Sequence, residues 1–179
     1  SLLAAIAEDK RLTAPILLRL APAVDPHTHA YIATGVADSK FGLPIATGMA
    51  AEAVARALAS PWLHLYGYHA HIGSQIHDLE AYRQTAALLI AFAAQMRAQH
   101  GFAPAEISLG GGWAVRYLPE DVAPTPADVA DVLATALRRE CQRHGLPLPA
   151  LSVAQGRALA ARAGVALYTV GGTKEIAGI

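Results

Sequence analysis

The sequence predicts an α/β fold built on a parallel sheet, and three observations predict it. Short apolar runs that read as strands alternate with longer amphipathic stretches that read as helices. The strand starts, near positions 16, 63, 106 and 150, recur about every 45 residues with no repeat of sequence, which marks strand-helix units rather than a solenoid. Polar residues and glycines gather just behind the strands, at 71–74, 110–112 and 155–157. Successive parallel strands need a crossover between them, so these units lay helices over one parallel sheet.

The first strand, 16–20, is the run Ile16-Leu17-Leu18-Arg19-Leu20, ended by Ala21-Pro22. A polar loop with Asp25-Pro26, Thr34-Gly35 and Phe41-Gly42 follows. Helix 49–59 is alanine-rich and stops at Ser60-Pro61, because the residue before a proline is driven out of helical backbone. Strand 63–69 carries Leu63, Leu65, Tyr66 and Tyr68. Helix 79–100, capped by Asp78 and closed by Gly101, sets Tyr82, Ala86, Leu89, Ala93 and Met96 on one face at spacings of four and three. Strand 106–109 is cut short by three consecutive glycines. Thr125 reads as an N-cap, with Pro126 at the first helical position and Asp128 closing a capping box, so a helix runs to about 144 before Gly145. Fourth and fifth strands are expected at 150–154 and 165–170.

Composition narrows the function. The 179 residues (18.7 kDa) hold 14 Lys and Arg against 14 Asp and Glu, with 54% hydrophobic residues, 16% charged residues and a mean hydropathy of +0.31, which supplies a core and excludes disorder. The longest charge-free helix candidate, 84–96, lies between Arg83 and Arg97, well short of the roughly 20 residues of a membrane span. A neutral chain has no basic field for nucleic acid and no polybasic face for a membrane, so a small molecule or another protein is the expected partner. A single cysteine, Cys141, excludes an internal disulfide and a cysteine-based zinc site, and its helical setting reads as structural. The chain starts at Ser1 rather than Met, with no signal sequence behind it, and is expected to begin inside a longer protein.

The chemistry lies in the segments behind the strands. His69 and His71 stand at i and i+2, so on a strand they share a face, where they could grip a metal or stack on a ring. No Asp or Glu lies near enough in sequence to complete a three-ligand site, although folding could bring Glu106 in, and the metal reading loses weight accordingly. Gly110-Gly111-Gly112 directly follows Ile107-Ser108-Leu109; such a run lets backbone approach a ligand and aim N–H groups at an anion, or is a plain flexible turn. Gln155-Gly156-Arg157 repeats the pattern behind the next strand and adds a guanidinium able to grip phosphate or carboxylate. His64 and His77 read as surface or loop residues.

A doubly wound sheet and a (β/α)8 barrel both fit these units. The run Gly110-Gly111-Gly112-Trp113-Ala114-Val115 lacks the third glycine of a dinucleotide-binding turn, and Pro119, Pro124 and Pro126 delay the helix behind it. A barrel keeps its active site at the C-terminal ends of its strands, commonly with a phosphate site behind the seventh and eighth. If the two glycine-bearing strand ends are those, the chain is the second half of a barrel: four units are half of eight, and 179 residues fall short of the roughly 250 of a typical barrel.

Five motifs then carry a resemblance. Ile16-Leu17-Leu18-Arg19-Leu20, Ser39-Lys40-Phe41-Gly42, His69-Ala70-His71-Ile72-Gly73-Ser74-Gln75, Gly110-Gly111-Gly112 with Arg116-Tyr117-Leu118-Pro119-Glu120-Asp121, and Gln155-Gly156-Arg157 resemble, in order, the diaminopimelate decarboxylase branch of the alanine-racemase-like, pyridoxal-phosphate-dependent decarboxylases. The resemblance covers nearly the whole chain, and the stretch from His69 to Gln75 favours this branch over ornithine decarboxylase. It implies a fragment: residues 1–164 as about strands five to eight of a TIM barrel, and residues 165–179 as the start of a β-rich C-terminal domain that completes a homodimer. It implies pyridoxal 5'-phosphate as cofactor, with His71 stacking on its ring and Ser74, Gly112 and Gly156 binding its phosphate. Gly111, Ala154 and Gln155 would line the same cofactor site, and Arg157 would meet the substrate carboxylate or help at the phosphate. The implied activity of the intact, cytoplasmic enzyme is decarboxylation of a small amino acid, meso-diaminopimelate, to L-lysine. The alternatives are a decarboxylase of another basic amino acid, such as arginine, or of a biosynthetic intermediate, and a non-catalytic binding module of the same fold.

The resemblance has two departures. The family's cofactor-bearing lysine follows the first barrel strand, upstream of this sequence; Lys40 is not that lysine and reads as structural or ion-paired, so no catalytic residue is expected within the chain. The family has Glu-Pro-Gly-Arg at the eighth strand, where this chain has Ala154-Gln155-Gly156-Arg157. The missing carboxylate would partner the pyridinium nitrogen, and its loss is expected to weaken ring protonation.

Overall fold

The computed structural model describes residues 1–24 and 41–172; Lys40, the dipeptides Asp25-Pro26 and Thr34-Gly35, and residues 173–179 lie outside the described residues. In chain order the elements are α1 (Leu2–Asp9), β1 (Ala14–Ala21), β2 (Leu43–Pro44), α2 (Met49–Leu58), β3 (Leu63–His69), α3 (Glu80–His100), β4 (Glu106–Ser108), α4 (Pro126–His144), β5 (Ala150–Ser152) and α5 (Arg157–Ala160). The strands form one sheet in the order β2-β1-β3-β4-β5, and every pair is parallel. The α/β class with a parallel sheet is therefore as expected.

Side chains on a strand alternate between faces, and the register turns that alternation into two kinds of rung. Leu18, Tyr68, Ile107 and Leu151 are register partners across β1, β3, β4 and β5. This rung belongs to the core, which it shares with Val54 and Ala57 of α2, Leu89, Ile90, Phe92 and Met96 of α3, and Leu133 and Leu137 of α4. Tyr68 meets Phe92 and Phe102 edge-on, with ring centroids 5.2 and 5.9 Å apart, a favoured aromatic geometry. One residue further along each strand, Arg19, His69, Ser108 and Ser152 form the next rung on the opposite face, and all four are polar. The helices thus cover one face of the sheet, while the other carries this polar rung.

The helix ends follow local rules. Thr125 accepts a hydrogen bond from Asp128 N (3.2 Å) and its own N–H donates to Asp128 Oδ2 (2.9 Å), completing the capping box, and Gly145 closes α4 in left-handed backbone (φ +63). Helix α3 starts one residue later than expected: Leu79 is the cap, yet Asp78 Oδ1 still accepts from Glu80 N at 2.8 Å. The strand expected at 165–170 is not formed; Val165, Leu167, Tyr168 and Val170 stand exposed with no ladder. Strands β4 and β5 end at Ser108 and Ser152, earlier than expected, because the chain turns immediately toward the site. No helix among the described residues is long and apolar enough to cross a membrane.

Candidate functional site

The sheet register continues past the strand ends. Ala70 N donates to Ser108 O (2.9 Å), Leu109 N to Ser152 O (3.3 Å) and Ala154 N to Gly110 O (2.7 Å), so three loops leave the sheet side by side. His71, the triple glycine and Ala154 are brought together by this pairing.

The glycine turn is shaped by what it lacks. A Cβ on Gly110 (φ +71) would lie 2.5 Å from Ala70 O and 3.1 Å from Nδ1 of His71; on Gly112 (φ +93) it would lie 2.0 Å from Gly73 O and 3.4 Å from Cε1 of His71. Glycine alone fits both positions, and the bare backbone lets the His71 imidazole lie against the turn. Two side chains then brace the turn from outside. Gln75, in left-handed backbone itself (φ +56), donates from Nε2 to Val115 O (3.2 Å) and accepts at Oε1 from Val115 N (3.0 Å). The Tyr82 hydroxyl of α3 donates to Gly111 O at 2.8 Å in a buried setting. Backbone bonds from Ile76 N to Gly112 O and from Ala114 N to Ile76 O complete the join.

Electrostatics keep the imidazoles neutral. His71 titrates below the ordinary histidine value, first because it is partly desolvated and then because the Arg19 cation opposes a second positive charge. His69 is lowered by the same two causes, with a further contribution from His71, and its Nδ1 shares a 2.8 Å hydrogen bond with Ser108 Oγ. The Arg19 guanidinium sits 5.1 Å over the ring of Phe41. On the same face, Ser152 Oγ donates to Glu106 Oε1 at 2.6 Å.

The expected site residues divide into two groups. Exposed His71, two residues past the end of β3, lies against Gly110 and Gly112, and exposed Ser74 follows Gly73, whose carbonyl abuts Gly112. Ala154 O lies 2.4 Å from where a Gly111 Cβ would stand, and Gln155 Oε1 accepts from Gly112 N at 2.8 Å. Gly156 and Arg157 share no hydrogen bond with this cluster. Gly156 has helical backbone (φ −84) and open space where a Cβ would be, so no steric demand calls for glycine there. The Arg157 guanidinium donates to the Tyr117 hydroxyl at 2.6 Å, on a loop that Asp121 ties by accepting from Tyr117 N and Leu118 N. Those bonds hold the Asp121 carboxyl below the usual carboxylate range.

Arg19, Gln75 and Tyr82 are the site residues that sequence reasoning assigned no role at the site. Tyr82 was legible only as part of an apolar helix face, and nothing local signals that its hydroxyl reaches a turn 29 residues away. Cys141 is buried, and burial with the neighbouring Glu140 raises its thiol, as a structural cysteine requires. His77 shares a 3.0 Å hydrogen bond with Val122 O, and His64 meets Tyr66 edge-on. Among the described residues no three of His, Cys, Asp and Glu gather closely enough to hold a metal ion.

Comparison with known proteins follows the same lines. The family described as pyridoxal-dependent decarboxylase, pyridoxal binding domain, matches residues 1–161. The diaminopimelate decarboxylase of Halalkalibacterium halodurans is 41% identical over 175 residues, covering 98% of this chain and 40% of that protein. That of Actinosynnema pretiosum is 41% identical over 160 residues, covering 89% of this chain and 36% of that protein. The crystal structure of the M. jannaschii diaminopimelate decarboxylase with L-lysine superposes with a TM-score of 0.77 at 29% identity, over 87% of this chain and 35% of that one. The chain thus spans about two fifths of the length of the curated relatives it matches.

Proposed function

The chain belongs to the pyridoxal-dependent decarboxylases, in their pyridoxal-binding domain, and from that premise we propose that it forms strands five to eight of the (β/α)8 barrel of a diaminopimelate decarboxylase. On this reading residues 1–164 are barrel, residues 165–179 begin a C-terminal β domain, and the intact protein is a cytoplasmic homodimer that converts meso-diaminopimelate to L-lysine. The observation that carries the reading is the His71 imidazole resting on the glycine turn, where a flat neutral ring and backbone bare of side chains meet at neighbouring strand ends. A lysine complex of a relative of the same fold supports the substrate class.

The residues present fit pyridoxal phosphate. The turn at Gly110 and Gly112 is a cradle that a Cβ would fill, and Gln155 Nε2 is a buried donor with no acceptor among the described residues. When bound, the cofactor supplies an electron sink for the electron pair left as the carboxylate departs. His71, kept uncharged at pH 7 by desolvation and Arg19, would offer its ring face to the pyridine without adding a cation beside it. Ser74 Oγ and the N–H groups of Gly112 and Gly156 would donate to the phosphate, with Gly111 and Ala154 beside it, and Arg157, on releasing the Tyr117 hydroxyl, would donate to the substrate carboxylate. Ala154 offers no carboxylate to hold a proton on the pyridine nitrogen, and this one residue favours a second reading, a binding module without catalysis.

The test is carbon dioxide release by the intact protein supplied with pyridoxal phosphate and, separately, meso-diaminopimelate, L-arginine and L-ornithine. Release from diaminopimelate alone, with lysine as product and at least tenfold weaker cofactor binding in His71→Ala, is the expected result. Release from another basic amino acid would move the substrate assignment within the family. No release from any of the three, with the cofactor still bound, would establish the binding module.

A further inference from the structure

We propose that the Gln155 side chain is a built-in plug of the glycine turn, holding the Gly112 N–H that an anionic ligand must claim and swinging out when that ligand arrives. The inference rests on the reading above only for the identity of the anion. Two observations carry it. Gln155 Oε1 accepts from Gly112 N at 2.8 Å and lies 2.7 Å from where a Gly111 Cβ would stand, so the amide is seated over the turn. Its other end, Nε2, is buried and has no hydrogen-bond partner among the described residues.

These facts give the seated conformation an internal cost. A primary amide has one acceptor and two N–H donors, and seating the oxygen on Gly112 leaves both donors out of water with nothing to donate to. Swinging the side chain outward restores water to Nε2 and frees Gly112 N–H. A phosphate oxygen then forms a charge-assisted bond with that N–H, roughly twice as strong as the neutral one it replaces. The same N–H cannot serve both acceptors, so Gln155 and an anion compete for it.

Competition predicts opposite signs for two substitutions in the intact protein, read by titration with inorganic phosphate and with pyridoxal phosphate. Gln155→Ala removes the competitor and is expected to tighten phosphate binding by about fivefold, the effect of losing one ordinary hydrogen bond from the unbound state. Gln155→Glu holds Gly112 N–H harder and repels the anion, so binding weakens at least tenfold; pyridoxal, without a phosphate, binds the wild type and both variants alike. The Gly112 amide resonance reports the same event directly: it differs between free wild type and free Gln155→Ala, which lacks the acceptor, and converges to one position when both are saturated with phosphate. Gln155→Asn, too short to reach the turn, reproduces the alanine result if that variant is poorly folded. Phosphate binding that is unchanged or weaker in both Gln155→Ala and Gln155→Asn overturns the plug. If phosphate discriminates the variants as predicted but pyridoxal phosphate binds none of the proteins, the plug stands and the decarboxylase reading falls; if pyridoxal phosphate binds all of them equally, the plug falls and that reading stands.

Discussion

Arg19 sets the charge of the open face of the sheet. It is the cation that helps lower both His69 and His71, second only to their desolvation. Replacing it with methionine keeps the length of the side chain against Phe41 and removes the charge, so both imidazole pKa values should rise toward the ordinary value while staying below it, because desolvation remains. An NMR titration of the two imidazoles checks this; unchanged pKa values would show that Arg19 does not govern them. The linked stability follows in sign. Since folding lowers these pKa values, the unfolded chain binds the protons more readily, and stability present above pH about 6.5 is lost as pH falls toward the folded values. Arg19→Met should flatten that loss. At Gly112 the constraint is steric: with φ +93 and Gly73 O only 2.0 Å from a Cβ, Gly112→Ala should cost at least about 2 kcal/mol in a denaturant melt. A cost within a few tenths would mean that the join between the two loops yields freely.

Elements whose causes are local were legible in the sequence, and those whose causes are distant were not. Strand β3 matches its expected bounds, and the Thr125-Pro126-Asp128 start of α4 is a capping box because all its partners lie within four residues. Helix α1, which the strand-helix spacing does not predict, starts on the same kind of local signal, Ser1 Oγ accepting from Ala4 N. The run at 165–170 has strand-like residues, but a strand exists only with a neighbour to share its ladder, and no composition supplies one. The site divides the same way. His71 and the triple glycine announce themselves, whereas the bonds of Gln75 to Val115 and of Gln155 to Gly112 join residues 40 and 43 apart. Within β3, Tyr68 shows a cost that only the packed structure exposes. Burial pushes its phenol up, and its hydroxyl has no partner among the described residues, whereas its ring is well placed against Phe92 and Phe102. Tyr68→Phe keeps the ring and removes the unmet hydroxyl, so stability should hold or rise by up to about 1 kcal/mol. A thermal melt that falls instead would reveal an acceptor for that hydroxyl.

At the scale of the whole molecule, the sheet has two unlike faces and, among the described residues, is open at both edges. Along β1 the edge that faces away from β3 is paired, among the described residues, only where Leu20 and Ala21 meet β2, and β5 pairs only with β4. Strand edges of this kind present rows of unmet N–H and C=O groups. Beside the β1 edge, an apolar hollow of about 380 Å³ opens between Leu3, Ile16, Leu18 and Leu63, and Leu2, Ile6 and Leu12 stand exposed around α1. A surface that joins free edges to apolar side chains favours association, and formal neutrality removes the charge repulsion that would oppose it. The 179 residues expressed alone should therefore self-associate, and light scattering coupled to size exclusion should give a mass that grows with concentration. Lysine placed in the edge, at Leu17, should reduce that growth if strand pairing drives it, whereas Leu3→Lys should do so if the hollow does. A single monodisperse species of 18.7 kDa with a cooperative melt would overturn the prediction, because it would mean that a sheet with these edges satisfies itself without further strands.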